Sequence, residues 1–485
     1  MSSVAHVSFR GSRKSRGLGL ALVVSMAAGQ AFAGTLRVPS EFPTIQSAID
    51  AAVSGDEVLV SPGVYTEVIN LRGKAIVVRS EAGPDSTVID GGGLARYVVT
   101  INSGETAQTV VRGFTVRGGL GVTGGSGPAG GGVRIVSSSP RLENLVISGN
   151  SGVFGGGVSI VGGAPALIDL TVVNNNANSG GGIYAELAST RIEGLVASGN
   201  RAINNGGAVA IAGGSVTMTG ADLEANTAGS FGGAIFLNHT NAQISIVHAK
   251  NNGEMTVDAY GTQTFHTFGG GGVYATSTTG RIERATFTDN KAAAGAGVYV
   301  ASGNGLTIVN TVVARNIAGI GGAGVWANSA SPTIVNCTIV NNRPGGIYTT
   351  FNSFPIVRNT VLSKNVFGAI TGVEIYGNGN TSISDSVVRG PILAGATVGP
   401  RVIDADPRLD ATFAPLAGSP LIDAGNNGFV PADVRTDLRG KRRFVDDPAT
   451  ADTGVGTTPI VDIGAVEFVP PLAPRTSTHS RPQPR

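Results

Sequence analysis

The sequence GGGVSIVGGAPALIDLTVVNN occupies residues 155–175, and GGGIYAELASTRIEGLVASGN occupies residues 180–200 with the same pattern. The pattern extends in both directions, and at its first aliphatic position the spacings are 23 to 26 residues, with one of 38. An aliphatic position recurs at Leu142, Leu167, Ile192, Met218, Ile244, Ile282, Ile308, Ile334, Val357 and Ile383. Eight residues after each of the first nine stand Asn150, Asn175, Asn200, Asn226, Asn252, Asn290, Asn316, Asn342 and Asn365. A second aliphatic position follows a glycine-rich turn, at Val133, Val158, Ile183, Val209, Ile235, Val273, Val298, Val325, Ile347 and Val373. Such a period indicates a solenoid.

Each repeat holds two strand-like pieces joined by turns. In the first strand, apolar residues fall at offsets 0, 3 and 5, and the second strand alternates with period two. The run Leu142–Asn150 also fits a leucine-rich repeat, but the glycines of the second half disfavour its helix. The sequence therefore predicts an all-β fold, a right-handed parallel β-helix of about 25 residues per coil, with roughly thirteen coils. We expect the asparagines to stack and to hydrogen-bond along the axis.

The two ends differ from the repeats. Residues 1–33 have the basic segment, apolar run and small-x-small site of a signal peptide. Residues 34–130 are predicted to form an N-terminal cap and the first coils, with a cap helix over Thr44–Val53 that buries Val53. The β-helix repeats then span 131–395, a separate C-terminal domain spans 396–468, and a proline-rich, disordered tail spans 469–485.

Several segments resemble known families. Pro43–Gly92 is similar to the N-terminal cap of pectin-lyase-fold proteins, including pectin methylesterases, and the repeats resemble right-handed β-helix repeat proteins. The motifs at Phe287–Asn290 and Gly232–Ile235 more weakly resemble chlamydial polymorphic outer-membrane proteins. The segment from Asp406 to Glu467, with SPLIDAG, DLRG and VDIGAVE, resembles the choice-of-anchor domain of bacterial surface proteins. These resemblances are specific for an architecture and weak for an activity, and together with the predicted signal peptide they imply an exported bacterial protein, placed outside the cell, on its surface or in the periplasm.

Composition narrows the function classes. The formal net charge is +2, and removing the four basic residues of the predicted signal peptide leaves a slightly acidic chain. A nucleic acid or an anionic membrane is therefore not an expected partner. We expect no transmembrane segment in the mature chain, a monomer, and an exported protein without internal disulfides, since Cys337 is the only cysteine. Cys337 falls in an inward column and should be buried and inert.

Catalytic candidates are few. The motifs of polygalacturonase-like hydrolases do not occur between residues 131 and 390. One patch remains: Asp222 and Glu224 should lie beside His248 and Lys250 on adjacent coils, about 5 Å apart. The long coil that follows carries an insertion, residues 253–268, with Tyr260 and His266 as ligand-binding candidates, and it could overhang the patch. The alternative is two surface ion pairs.

A second candidate is an aromatic stripe. The outward residues of the second strands include five consecutive aromatic side chains, followed by Glu374: Phe236, Tyr274, Tyr299, Trp326 and Tyr348. Rings at about 4.8 Å spacing would form an apolar ribbon suited to stacking on a linear sugar chain. The alternatives are packing between coils, or coverage by the C-terminal domain.

These observations favour an exported, non-catalytic scaffold that binds a polysaccharide or a surface protein. A polysaccharide lyase or glycoside hydrolase acting on an acidic polysaccharide through the Asp222 patch is the first alternative, and a purely structural rod is the second. No metal site and no cofactor is predicted, except Ca²⁺ if the chain is a lyase.

Overall fold

The computed structural model describes residues 34–93, 97–121, 131–258, 262–350, 352–367, 370–371 and 373–470. It is an all-β right-handed parallel β-helix of about 13 turns, as predicted. The predicted signal peptide, Tyr260 and most of the predicted tail lie outside the described residues.

The first strands of the coils form a sheet of 26 strands. In most coils the first strand is bent into two limbs at one residue with positive φ, such as Asn144 or Asp169. Three ten-residue strands run through the bend and join the limbs: Ser189–Ser198, Ser215–Glu224 and Asn241–Lys250. The strands of the limb before the bend are Thr35–Val38, Glu57–Val60, Val77–Ser80, Val110–Arg112, Arg141–Glu143, Ala166–Ile168, Thr279–Glu283, Leu306–Val309, Thr333–Val335, Ile356–Arg358, Thr381–Ser384 and Ala396–Val398. The strands of the limb after it are Gly63–Thr66, Thr87–Asp90, Thr115–Arg117, Val146–Ser148, Thr171–Val173, Thr286–Thr288, Val312–Ala314, Thr338–Val340, Val361–Ser363, Ser386–Arg389 and Val402–Ile403.

The second strands form a parallel sheet of 12 strands. They are Ile69–Asn70, Val99–Ile101, Val133–Val136, Val158–Val161, Ile183–Glu186, Val209–Ala212, Ile235–Asn238, Val273–Thr276, Val298–Ala301, Val325–Asn328, Ile347–Thr349 and Ile375–Gly377. A third face, between the asparagines and the second strands, holds Asn176–Ser179, Arg201–Asn205, Thr227–Ala228, Lys291–Ala294 and Ile317–Gly321. Two antiparallel hairpins interrupt the coils, Met255–Val257 with Gln263–Phe265 and Val366–Phe367 with Ile370–Thr371.

The predicted asparagine column is a continuous buried ladder. Each side-chain amide donates to the Oδ1 atom of the next asparagine, at 2.9–3.1 Å from Asn150 through Asn365. Each also donates to a main-chain carbonyl of the preceding coil, as Asn200 Nδ2 does to Val172 O at 2.7 Å. The positive φ of this corner falls on the preceding residue, such as Asn174 or Ala225. The ladder asparagines are therefore present for hydrogen bonding and not for turn geometry.

The core lies inside the coil. The inward aliphatic columns are buried, and Cys337 shares the column of Leu145, Leu170 and Leu195 with 1% of its surface exposed. Burial raises the pKa of the Cys337 thiol to about 12, so little nucleophilic thiolate is present at neutral pH.

A single short α-helix, Ile45–Ala51, is present among the described residues. The Thr44 hydroxyl accepts a hydrogen bond from Ser47 N at 3.1 Å, which gives the helix its predicted N-cap. Val53 was expected on the buried face, but the helix ends before it and Val53 is 63% exposed. No helix in the described part of the chain is long and apolar enough to cross a membrane.

The β-helix continues beyond the expected boundary at residue 395. Ala396–Val398 and Val402–Ile403 still pair with the preceding coil, so the C-terminal segment consists of residues 404–470. It docks on the first-strand sheet, where Val312, Val340 and Val361 form a buried apolar cluster with its side chains. Arg281 adds an ion pair to Asp433 at 2.6 Å. The segment therefore does not cover the second-strand sheet, which was the predicted alternative for the aromatic stripe.

Candidate functional site

The register brings the four residues of the predicted patch together. Asp222 pairs with His248 and Glu224 with Lys250 on adjacent strands, and all four side chains are exposed. Neither pair reaches ion-pair distance; the ion pairs found among the described residues involve other side chains. The hydrogen bonds go elsewhere, because His248 Nδ1 lies 2.8 Å from Thr286 Oγ1 and Asn251 donates to Glu224 at 3.3 Å. The patch is an open polar surface without a hydrogen-bonded acid–base pair, and the predicted ion pairs are absent.

The insertion lies around the corner from this patch. After Asn252 the chain turns onto the third face, and Met255–Val257 and Gln263–Phe265 form a hairpin there. Phe265 packs over Gly319, where an added Cβ would lie 2.9 Å from the ring. The described part of the hairpin therefore belongs to the third face and does not lie over Asp222 and His248, as the insertion could have done.

The hairpin and the third face together form a cleft of about 280 Å³. Its lining combines cationic, acidic, hydroxyl and apolar groups: Arg201, Ala202, Ile203, Thr227, Ala228, Gly229, Glu254 and His266. Arg201 lies 3.8 Å from Glu254, and His266 Nε2 lies 3.2 Å from Thr256 Oγ1. Ile203 is 64% exposed. Of these residues only His266 was predicted from the sequence, because the others become neighbours through the stacking of three coils.

The aromatic stripe exists and is one coil longer than predicted. Tyr348 pairs with Tyr376, so Tyr376 and not Glu374 is the next member. Adjacent ring centroids lie 4.5–5.7 Å apart from Phe236 to Tyr376. Tyr299, Trp326 and Tyr376 are 5%, 9% and 8% exposed, and the remaining rings are half-buried.

The cover over the stripe is the glycine-rich turns of the third face. A Cβ at Gly295 would lie 3.0 Å from atoms of both Tyr299 and Trp326, and the φ of Gly295 is +53°. The hydroxyl of Tyr376 accepts a hydrogen bond from Gly322 N at 2.7 Å, which closes the same surface further along. Burial raises the pKa of Tyr376 to about 12. These contacts favour packing between coils over stacking on a sugar.

Comparisons with known proteins agree with this fold. Residues 246–398 match the family model described as "Right handed beta helix region". No curated protein sequence matches the chain.

The chain is also similar to several solved structures. Pectate lyase Pel9A is 14% identical over 90% of this chain and 97% of its own, with a TM-score of 0.38. Pectin methylesterase PemA from Erwinia chrysanthemi is 10% identical over 52% of this chain and 90% of its own, with a TM-score of 0.33. The catalytic unit of a GH87 α-1,3-glucanase from Streptomyces thermodiastaticus is 16% identical over 79% of this chain and 72% of its own, with a TM-score of 0.36. At these identities the likeness concerns the fold alone.

Proposed function

We propose that this chain is an exported, non-catalytic β-helix scaffold that binds a glycan in the cleft between the third face and the hairpin. The observation that carries the proposal is the cleft itself, built where the insertion interrupts an otherwise regular coil. Loops inserted into rigid scaffolds commonly carry binding sites. The export part of the proposal rests on the sequence of residues 1–33.

The chemistry of the cleft suits a sugar. Arg201 can donate to hydroxyl or carboxylate oxygens, the Glu254 carboxylate can accept from hydroxyl groups, and the Thr227 hydroxyl can do either. Ile203 offers an exposed apolar surface at the rim for the C–H face of a ring. Because Ile203 shares the cleft with Glu254 and Arg201, the site favours a polar ligand such as a sugar chain over an apolar one.

The test is calorimetric titration of the protein with neutral and acidic polysaccharides. We expect saturable binding of at least one, and a loss of about tenfold or more in affinity for Arg201→Ala and for His266→Ala. Arg191→Ala is the matched control, since Arg191 is also an exposed arginine, lies on the first-strand sheet and pairs with Glu193. If the cleft variants bind as tightly as the control, the proposal is overturned. If no protein binds any of the polysaccharides, the wild type included, the structural rod is favoured.

A lyase or hydrolase is the second candidate, and the pairing of Asp222 with His248 and of Glu224 with Lys250 favours it. A lyase needs a base near the acidic proton of its substrate, and Lys250 or His248 would supply it. The test is product release from acidic polysaccharides with and without Ca²⁺. Unsaturated or reducing-end products that disappear in Lys250→Ala and Asp222→Ala would establish the enzyme; product release retained by both variants would place the site elsewhere.

A further inference from the structure

Three aspartates converge in the C-terminal segment, and none of them was a candidate site residue in the sequence. One carboxylate oxygen from each of Asp423, Asp446 and Asp452 lies within 4.8 Å of the other two. Asp446 and Asp452 are exposed, whereas Asp423 is fully buried. Like charges at such distances repel one another, and the arrangement requires compensation.

The protein itself provides little compensation. Asp423 Oδ1 is buried and has no hydrogen-bond partner, and Oδ2 accepts only a 3.2 Å bond from Asp447 N. The ion pairs within the described C-terminal residues join other groups, such as Arg443 to Glu467 at 3.6 Å, and none reaches the three aspartates. A buried carboxylate oxygen without a hydrogen-bond donor is rare in native proteins. It indicates a partner that the described protein groups do not supply.

The titration of Asp423 is consistent with this geometry. Its pKa is raised to about 6, first by burial and then by the negative charges of Asp452, Asp446 and Asp447. A cation placed among these carboxylates would reverse that effect, because it favours their ionised form.

We propose that Asp423, Asp446 and Asp452 bind a divalent cation, and that this cation is Ca²⁺. The three ligand atoms are all carboxylate oxygens. Softer metals prefer sulfur or imidazole ligands, so this site does not suit them. Ca²⁺ accepts six to eight oxygens in irregular geometry, so it needs further oxygen ligands beyond the three carboxylates but no fixed arrangement of them. Mg²⁺ demands near-ideal octahedral geometry, and a site with two ligands on an exposed loop suits it less well.

The position of the site indicates a structural role for the cation. Asp423 follows Leu421 and Ile422 in a run whose buried side chains pack on the β-helix. The loop that carries Asp446 and Asp452 is joined to this run by hydrogen bonds of Asp423 O with Thr453 N and Gly454 N, both 3.0 Å. The bound ion therefore fastens an exposed loop to the docked part of the segment and stabilises the docked state by mass action.

The experiment uses the full chain after treatment with a chelator. Calorimetric titration with CaCl₂ should show one saturable site, and thermal unfolding of the C-terminal segment should shift upward with Ca²⁺. The double variant Asp446→Asn and Asp452→Asn should bind at least about tenfold more weakly and lose the shift. Both side chains are exposed, so the variant should fold, and an unchanged circular dichroism spectrum without Ca²⁺ checks this.

The matched control is Asp85→Asn, an exposed aspartate far from the segment in sequence, which should keep wild-type binding. Absence of saturable binding by the wild-type protein would overturn the proposal. Binding by the double variant as tight as wild type would overturn the site, and tighter binding of Mg²⁺ than of Ca²⁺ would overturn the choice of ion.

Discussion

At the scale of single residues, Glu374 shows how the asparagine ladder ends. Asn365 is the last member, and its amide Nδ2 donates to the Glu374 carboxyl, which also receives Asn365 N at 3.4 Å. Glu374 is fully buried, and burial raises its pKa from 4.5 to about 8 although both hydrogen bonds from Asn365 oppose the shift. A ladder of amides needs a terminal acceptor, and this protein uses an acid that stays protonated at neutral pH.

This acid predicts a pH dependence of stability. Between pH 4.5 and about 8 the folded chain holds a proton on Glu374 that the unfolded chain releases, so its contribution to stability falls as the pH rises through that range. Glu374→Gln keeps an acceptor for Asn365 and has no proton to lose. We expect urea unfolding midpoints of this variant to exceed wild type at pH 9 and to approach it at pH 5. Glu224→Gln, an exposed glutamate, is the control, and an unchanged pH trend in Glu374→Gln would contradict the argument.

At the scale of elements, the ladder and the aromatic stripe are the two axial stacks that hold neighbouring coils together. In Asn200→Ala, Asn175 loses an acceptor for two N–H groups and Val172 O loses its donor. Buried groups left unpaired cost roughly 1–3 kcal/mol each, and we expect a destabilisation of about 3 kcal/mol. Chemical unfolding followed by circular dichroism measures it. Asn204→Ala removes an exposed asparagine four residues away and should change little; a similar loss in both variants would argue against the ladder.

The stripe predicts a stability defect and not a binding defect. Trp326 packs between Tyr299 and Tyr348, with ring centroids at 5.4 and 4.5 Å. Trp326→Ala should cost about 3 kcal/mol or more through the cavity it leaves, and thermal unfolding measures that cost. The control is Phe354→Ala, a 57% exposed aromatic residue, for which the unfolding temperature should hardly change. A Trp326→Ala protein of wild-type stability that had lost glycan affinity would restore the stripe as a binding surface.

The one error in the stripe shows where sequence patterns fail. The hairpin Val366–Phe367 with Ile370–Thr371 lengthens its coil, so Ile347 pairs with Ile375 and not with Val373. A shift of two residues leaves every side chain on the same face of a strand. Val373 and Ile375 are both fully buried, and the alternation alone could not separate them. A one-residue shift would have been visible in the sequence.

At the scale of the whole molecule, the repeat made the β-helix and its core predictable, because each inward position recurs with the same residue type in about ten coils. The docking face of the C-terminal segment was not predicted, because the segment itself does not repeat. A signal was present: the outward column of the first strands is polar at Asp222 and His248 and becomes apolar at Val312, Val361 and Val387. Outward positions that turn apolar in several coils indicate a covered surface. The cleft and the aspartate cluster have no such repeated pattern in the sequence, because each brings together residues from separate stretches of the chain.

The same column supplies a test of docking. Val361 is fully buried in the cluster formed with the C-terminal segment, whereas Val196, in the same column six coils earlier, is 44% exposed. Val361→Asp places an unpaired charge in that apolar contact and should release the segment, while the β-helix beneath keeps its inward core. Limited proteolysis should then cut within residues 404–470, and a hydrophobic dye should bind the uncovered sheet. Val196→Asp is the control, because the next coil already carries Asp222 at this position and tolerates it. Cleavage patterns identical to wild type for Val361→Asp would show that the segment is held by its polar contacts, such as the pairs of Asn359 with Asn426 O and N at 2.9 and 2.8 Å, and not by the apolar cluster.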